Sequence, residues 1–231
     1  MKQLLPTNDY GIYADKQEQI LIESRFVAEK LGKQHAHVMR DIRENILPFV
    51  SEEFRLSNFG ESSYKNTQNK KQPMYVMTQE GFNFLVFSYN DKTLYPYKEE
   101  YIKRFNEMEQ YLRTYISARD EFSELTSHIQ MLYGDSKLSF RCIHEQNMLY
   151  TLSTGLTAVK IRERHGLSSG TVVRPYLSAD ELELFEVLQR IDIGLLVSVP
   201  DRKDRETILT TYKNSYMLRY QLIQNSEVAV S

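Results

Sequence analysis

The amino-acid sequence predicts an α+β chain in three parts. These are a small mixed N-terminal domain over residues 1–97, a long connecting helix over 98–134 and an all-α domain over 135–225. Three observations carry this reading. A compact helix–turn–helix pattern runs from Ser24 to Leu47. A polar, basic turn from Lys65 to Gln72 sits between two β-rich runs. From Lys98 to Tyr133 no Gly or Pro interrupts a helical spacing of apolar residues, and helical patterning resumes beyond it.

Each element follows from local chemistry. Gly11 to Ile22 has apolar residues on both sides of Asp15-Lys16-Gln17, which predicts a short β-hairpin. Ser24 suits an N-cap and Gly32 a C′ position for a helix over Arg25–Leu31. A second helix starts at Gln34 or His35, buries Val38, Met39, Ile42 and Ile46, and stops by Pro48. Phe54 to Tyr64 and Pro73 to Met77 read as strands flanking the turn. Thr78 caps a helix over Gln79–Phe87, and Asn90-Asp91 breaks the pattern. Tyr101, Ile102, Phe105, Met108, Leu112, Tyr115 and Ile116 then recur at helical spacing, and the stripe continues to Leu132. This is one helix, or two with a bend near Ser117 to Asp120. After Asp135 the pattern is helical, with breaks at Thr154-Gly155, Gly166 to Gly170, Arg174-Pro175 and Val199-Pro200. Ser226 to Ser231 read as a frayed end.

Composition excludes several classes. The chain has 231 residues, 41% hydrophobic and 26% charged, with a formal net charge of −2. That is ordinary for a globular protein, and bulk charge does not announce a nucleic-acid partner. Between Ser24 and Tyr75, however, nine Lys/Arg stand against six Asp/Glu. A DNA contact would therefore come from a local patch. The single cysteine, Cys142, rules out an internal disulfide framework and fits a reducing cytoplasm. The N-terminus lacks the apolar core of a signal peptide, and no apolar run approaches a membrane span. A bacterial cytoplasmic protein with no membrane partner is expected.

Two helices followed by a basic hairpin outline a winged helix–turn–helix-like domain. In the second helix, Lys33, Gln34, His37, Arg40 and Arg43 lie off the buried stripe. Arg40 suits bidentate contact with guanine, His37 can reach a base edge, and Lys33 and Arg43 suit phosphates. At the hairpin, Lys65, Asn69, Lys70 and Lys71 are donors for phosphates or the minor groove. The plainer alternative for both is a solvated surface, which Asp41 and Glu44 favour by offsetting the positive charges. A second helix–turn–helix could lie at Thr157 to Ser169, with Lys160, Arg162, Arg164 and Arg174 as contacts. A basic surface on a packed helix is the commoner outcome. His35 and His37, and Cys142 and His144, lack zinc spacing. No phosphate-binding Gly-rich loop, nucleophile elbow or nuclease-like carboxylate cluster is present. No cofactor, metal or catalytic residue is therefore expected, and no enzyme.

The run Ser62-Ser63-Tyr64, Asn66, Gln68-Asn69-Lys70, Gln72-Pro73, Tyr75, Met77-Thr78 and Gly81-Phe82 resembles the Rha family of phage regulatory proteins. So do Lys98-Glu99, Tyr101-Ile102, Phe105-Asn106 and Met108-Glu109. Upstream, Ser24-Arg25, Val27-Ala28-Glu29, Gly32-Lys33, His35, Val38 and Arg40-Asp41-Ile42 extend the resemblance, which covers about residues 20 to 113. It implies a bacteriophage or prophage regulator with a winged-helix-like DNA-binding domain. Ser88-Tyr89-Asn90-Asp91-Lys92 departs from the family's Gly-rich turn. Thr154 to Ala158, Arg174 to Leu177 and Asp192 to Val197 are similar to tails of phage regulators and antirepressors. The expected function is transcriptional regulation through duplex DNA. The alternative is an antirepressor or host-interaction protein that binds another protein. Reading helices commonly act in pairs, so a homodimer or higher assembly is expected, with the C-terminal domain available for oligomerisation or a protein partner.

Overall fold

The structure, a computed structural model, describes the backbone of residues 3–228 and side chains as far as Arg219. The chain is α+β and divides into two compact units, Met1–Leu112 and Arg113–Ser231. The first holds a five-stranded antiparallel sheet in the order β1-β2-β3-β5-β4, with β1 Gln3–Leu5, β2 Ile12–Asp15, β3 Ile20–Glu23, β4 Phe59–Lys65 and β5 Lys71–Thr78. The expected β2–β3 hairpin is present. Asp15 Oδ1 accepts from the backbone N–H of Gln17 (2.9 Å) and of Gln19 (3.0 Å), which closes the turn. Because β3 pairs with β5, through Leu21 opposite Thr78 and Glu23 opposite Val76, the basic hairpin is the edge of one sheet and not a separate ribbon.

The helices of this unit are α1 (Ser24–Lys30), α2 (His35–Arg40), α3 (Glu52–Asn58), α4 (Gln79–Phe87) and the start of α5 (Tyr95–Tyr133). Gly32, at φ +63°, ends α1 as expected. Its N–H donates to Glu29 O, and that of Lys33 to Ala28 O, which satisfies the last carbonyls of the helix. Ser24, however, is not the N-cap, because it is the first residue inside the helix and fully buried. Its Oγ accepts the N–H of Tyr75 at 3.0 Å and meets His35 Nε2 at 2.9 Å. A tertiary demand, the orphan N–H of a buried strand, outweighs the local capping preference.

The second helix keeps its expected span but not one geometry. Beyond Arg40 it widens into a π-helical turn, Asp41–Ile46, and tightens into a 3₁₀ turn at Leu47–Phe49. Val38, Ile42 and Ile46, four residues apart, stay on one face through this change and all reach the core.

The strand expected over Phe54–Tyr64 is correct only from Phe59. Its first part is α3, capped by Ser51, whose Oγ accepts the Phe54 N–H at 3.2 Å, with Glu52 and Glu53 in the first turn. The Phe54 ring packs on Phe59 and Phe84, so its burial needs no strand alternation. Thr78 caps α4 as expected, accepting from Gly81 N–H. Gly81 permits α3 to lie close, since a Cβ there would stand 2.5 Å from Asn58 O. Phe82 of α4 closes the core against Tyr101 and Phe105 of α5, with ring centroids 4.6 and 5.4 Å apart.

α5 is a single helix of 39 residues without a break at Ser117 to Asp120. In the second unit it is joined by α6 (Leu138–Thr154), α7 (Ala158–Arg164), α8 (Ala179–Leu195) and α9 (Arg202–Val228). The expected frayed end is helical to Val228, and residues 229–231 lie outside the described residues. The carbonyl of Ala118 accepts from Arg174 Nη1 (3.0 Å) and Gln189 Nε2 (2.9 Å). Arg174 also lies 5.0 Å over the Phe185 ring. The possible second helix–turn–helix is therefore corrected. Ser168 starts no helix, Arg174 is buried, Arg162 Nε donates to Thr171 O, and Arg164 pairs with Glu181. These charges hold the fold.

Arg205 is a fully buried charge of the unit. It is 1% exposed and donates to Asp192 Oδ1 at 2.8 Å and Glu145 Oε1 at 2.5 Å, which ties α9 to α8 and α6. Two carboxylates share one guanidinium. Burial first, then the Glu145 charge, pushes the Asp192 carboxyl up to about 6, against the pull of Arg205.

Two outcomes follow. A carboxyl raised in the folded state favours folding below the ordinary Asp range and loses that contribution as pH rises through about 6. The melting temperature of the native chain minus that of Asp192→Asn should therefore fall between pH 4 and pH 7, and parallel profiles would contradict this. Ser24→Ala leaves the Tyr75 N–H without its acceptor, at a cost of about 1–3 kcal/mol. Denaturant unfolding of the variant should show that loss.

Candidate nucleic-acid interface

Ser24 is also the hinge pin of the candidate site. Its hydroxyl joins the start of α1, the first residue of α2 and the middle of β5. His35 carries the linkage to β4, because its ring meets the edge of Tyr64 at 5.8 Å, and Arg25 lies 5.3 Å over the same ring. The first turn of α2 is thereby held beside the strand that leads to the hairpin tip. Burial, then the charge of Arg25, lowers the His35 pKa and favours the neutral ring. Its contribution is complete above the ordinary histidine range and declines as pH falls through the lowered value.

The exposed side of the second helix displays Gln34, His37, Arg40 and Arg43. Arg40 stands 3.5 Å from the Asp41 carboxylate with over half its side chain exposed, 56%, so that pair is weak enough to give way to a stronger anion. Lys33 is placed differently from expectation. It is half-buried, with its ammonium 4.2 Å over the Tyr89 ring. Tyr89 in turn donates its hydroxyl to Asp41 Oδ2 at 3.0 Å, and its carbonyl accepts from Lys98 Nζ at 2.8 Å. Burial and the Asp41 bond push the Tyr89 phenol well above its usual range. The loop at Ser88–Lys92 thus braces the π-helical turn from behind. No residue of that loop was expected at the site. A tyrosine in a polar loop gives no sign of the aspartate 48 residues earlier that it will meet.

The hairpin tip is built by Asn66. Its Oδ1 accepts from the N–H groups of Gln68 (3.0 Å) and Lys70 (2.9 Å), and its backbone N–H donates to Lys70 O. Asn69 takes the left-handed conformation, φ +58°, which asparagine tolerates. Asn69 therefore has a conformational task besides any contact. Lys65, Lys70 and Lys71 are all exposed, and Lys65 lies directly opposite Lys71 in the ladder. Like charges facing across a strand pair oppose folding, and from Ser62 to Gln79 there is no Asp or Glu to offset them.

No group of three His, Cys, Asp or Glu side chains among the described residues is arranged to hold a metal ion. No helix among them is long and apolar enough to cross a membrane.

Residues 22–110, which contain this whole arrangement, match the family described as phage regulatory protein Rha. The chain is 37% identical over 112 residues to an uncharacterised protein of Haemophilus influenzae, covering 48% of this chain and 61% of that one. It is 31% identical over 121 residues to an uncharacterised 22.8 kDa protein of Salmonella phage P22, covering 50% and 59%. It is 25% identical over 139 residues to a Bacillus subtilis protein named as an SPbeta prophage-derived antirepressor, covering 59% and 55%. The chain thus spans somewhat over half the length of these relatives. Over residues 22–110, this chain is therefore similar to the Rha family of phage regulatory proteins.

Proposed function

We propose that this chain is a phage or prophage regulator that binds duplex DNA through a winged helix–turn–helix-like N-terminal unit. The observation that carries the reading is the cross-strand pair Lys65 and Lys71, with Lys70 beside it, on a hairpin tip free of acidic residues. Folding gains nothing from two facing ammonium groups, whereas a phosphate backbone makes the arrangement favourable. Lys65, Asn69, Lys70 and Lys71 contact phosphates or the minor groove in this reading. The second helix enters the major groove, where Arg40 and His37 meet base edges and Gln34, Arg43 and Lys33 steady the docking. Lys33 must leave the Tyr89 ring to do so. The C-terminal unit supplies oligomerisation or a protein contact, and the cytoplasm of a bacterial host is the corresponding location.

A second reading has specific support. Residues 1–120 carry seventeen Lys/Arg and seventeen Asp/Glu, and one relative is named an antirepressor. The chain would then act by binding another protein, with DNA contact weak or lost.

A salt series of duplex-binding measurements separates the two. Lys70→Ala with Lys71→Ala should weaken all sequences alike and lower the salt slope by about one to two units. Arg40→Ala should cost about 1–3 kcal/mol on the specific site and relax preference at one base pair. Absence of any shift at low salt would favour the protein-binding reading. Light scattering of the full chain should give a dimer or larger mass, since one reading helix covers too few base pairs for useful specificity.

A further inference from the structure

The C-terminal unit contains a cavity of about 630 Å³ that the DNA reading does not use. Its volume is in the range of small-molecule sites. α5, α6 and the link into α9 line it. Two guanidinium groups are free in it. Arg141 lies flat on the Tyr133 ring at 4.2 Å, and Arg202 is half-buried, and neither forms an ion pair among the described residues. Phe140 is exposed although its ring packs on His144 at 4.1 Å. Deeper in the wall stands Glu145, only 7% exposed. Its Oε1 takes the hydrogen bond from Arg205, but its Oε2 is buried without a partner. A carboxylate oxygen in that position favours a donor.

The charges limit what can enter. Glu145 and Asp192 share the single charge of Arg205, so the deep end of the cavity is acidic. Arg141 and Arg202 make its outer part net basic, since they outnumber the one carboxylate there, Asp201, whose Oδ1 already accepts the backbone N–H groups of Lys203 and Asp204. A plain anion is repelled by the first and a plain cation by the second. We propose that the cavity binds a small amphoteric molecule. Its phosphate or carboxylate is held by Arg141 and Arg202, its N–H group donates to Glu145 Oε2, and a flat apolar part lies against Phe140. The cavity and the Lys65–Lys71 hairpin belong to different units, so failure of one proposal leaves the other standing.

Calorimetric titration of the full chain tests this with two donor-bearing probes, adenosine monophosphate and glycylphenylalanine. Each has a counterpart that lacks only the amino group, purine riboside 5′-monophosphate and N-acetylphenylalanine respectively. At least one parent should bind with a dissociation constant of about 1 mM or tighter, and its counterpart about tenfold more weakly. A response to the nucleotide identifies phosphate as the acidic group, and a response to the dipeptide identifies carboxylate. Arg141→Ala with Arg202→Ala, both changes on the accessible side of the cavity, should weaken binding about tenfold or more. Glu145→Gln should erase the difference between parent and counterpart. If that variant fails to fold, the parent-to-counterpart ratio on the native chain decides the same point. No heat from either parent, equal binding of parent and counterpart, or unchanged binding by the double arginine variant would each overturn the proposal.

Discussion

The hydroxyl of Ser24 is the contact on which the N-terminal unit turns. One buried oxygen accepts the N–H of Tyr75 and meets the ring of His35, so a strand and two helices share a single point. A hydroxyl can accept and donate at once, which neither an alanine nor a larger apolar side chain can do. Through His35 and Tyr64 the same point reaches β4 and the hairpin above it. The second helix and the hairpin are therefore tied together by hydrogen bonds at Ser24 and a ring contact between His35 and Tyr64, while the residues at the surface remain at liberty to meet a partner.

Charge is distributed in the same spirit. The unit as a whole is near balance, and two of the acidic groups near the candidate surface are engaged from within, although Glu44 on the second helix is exposed. Asp41 accepts from Tyr89, and Glu23 pairs with Arg25. The lysines of the tip have no such counterweight, and their mutual repulsion is tolerated because the Asn66 turn and the seven paired positions of the ladder hold the hairpin closed. An interface made this way acts locally, and its strength would depend on ionic strength far more than net charge suggests.

The second unit solves a different problem with buried arginines. Arg174 spans from Ala118 O to the face of Phe185, and Arg205 ties three helices together. Such groups are costly to desolvate, and removing one partner would strand the other. Their value lies in register, since helices sliding past one another would break every one of these bonds. Two carboxylates around Arg205 leave excess negative charge in the interior, and this gives the neighbouring cavity its polarity.

Much of this was legible in the sequence. Periodicity predicted the β2–β3 hairpin, both early helices, the Thr78-capped helix and the long α5, because each obeys a local rule of spacing, capping or turn chemistry. The exposed residues Arg40, Lys70 and Lys71 were likewise readable, since chemistry and exposure are largely properties of the residue and its helix face or turn. What failed were positions where a distant partner overrides the local rule. Ser24 looked like a cap and became a tertiary link. Phe54 looked like strand and became helix because Phe59 and Phe84 bury its ring. Arg174 looked like a surface cation and became a buried brace. The bracing by Tyr89, the shared guanidinium of Arg205 and the open oxygen of Glu145 have no sequence signature. Each joins residues many positions apart, and only the closed chain decides which buried polar groups find a partner and which are left waiting for one.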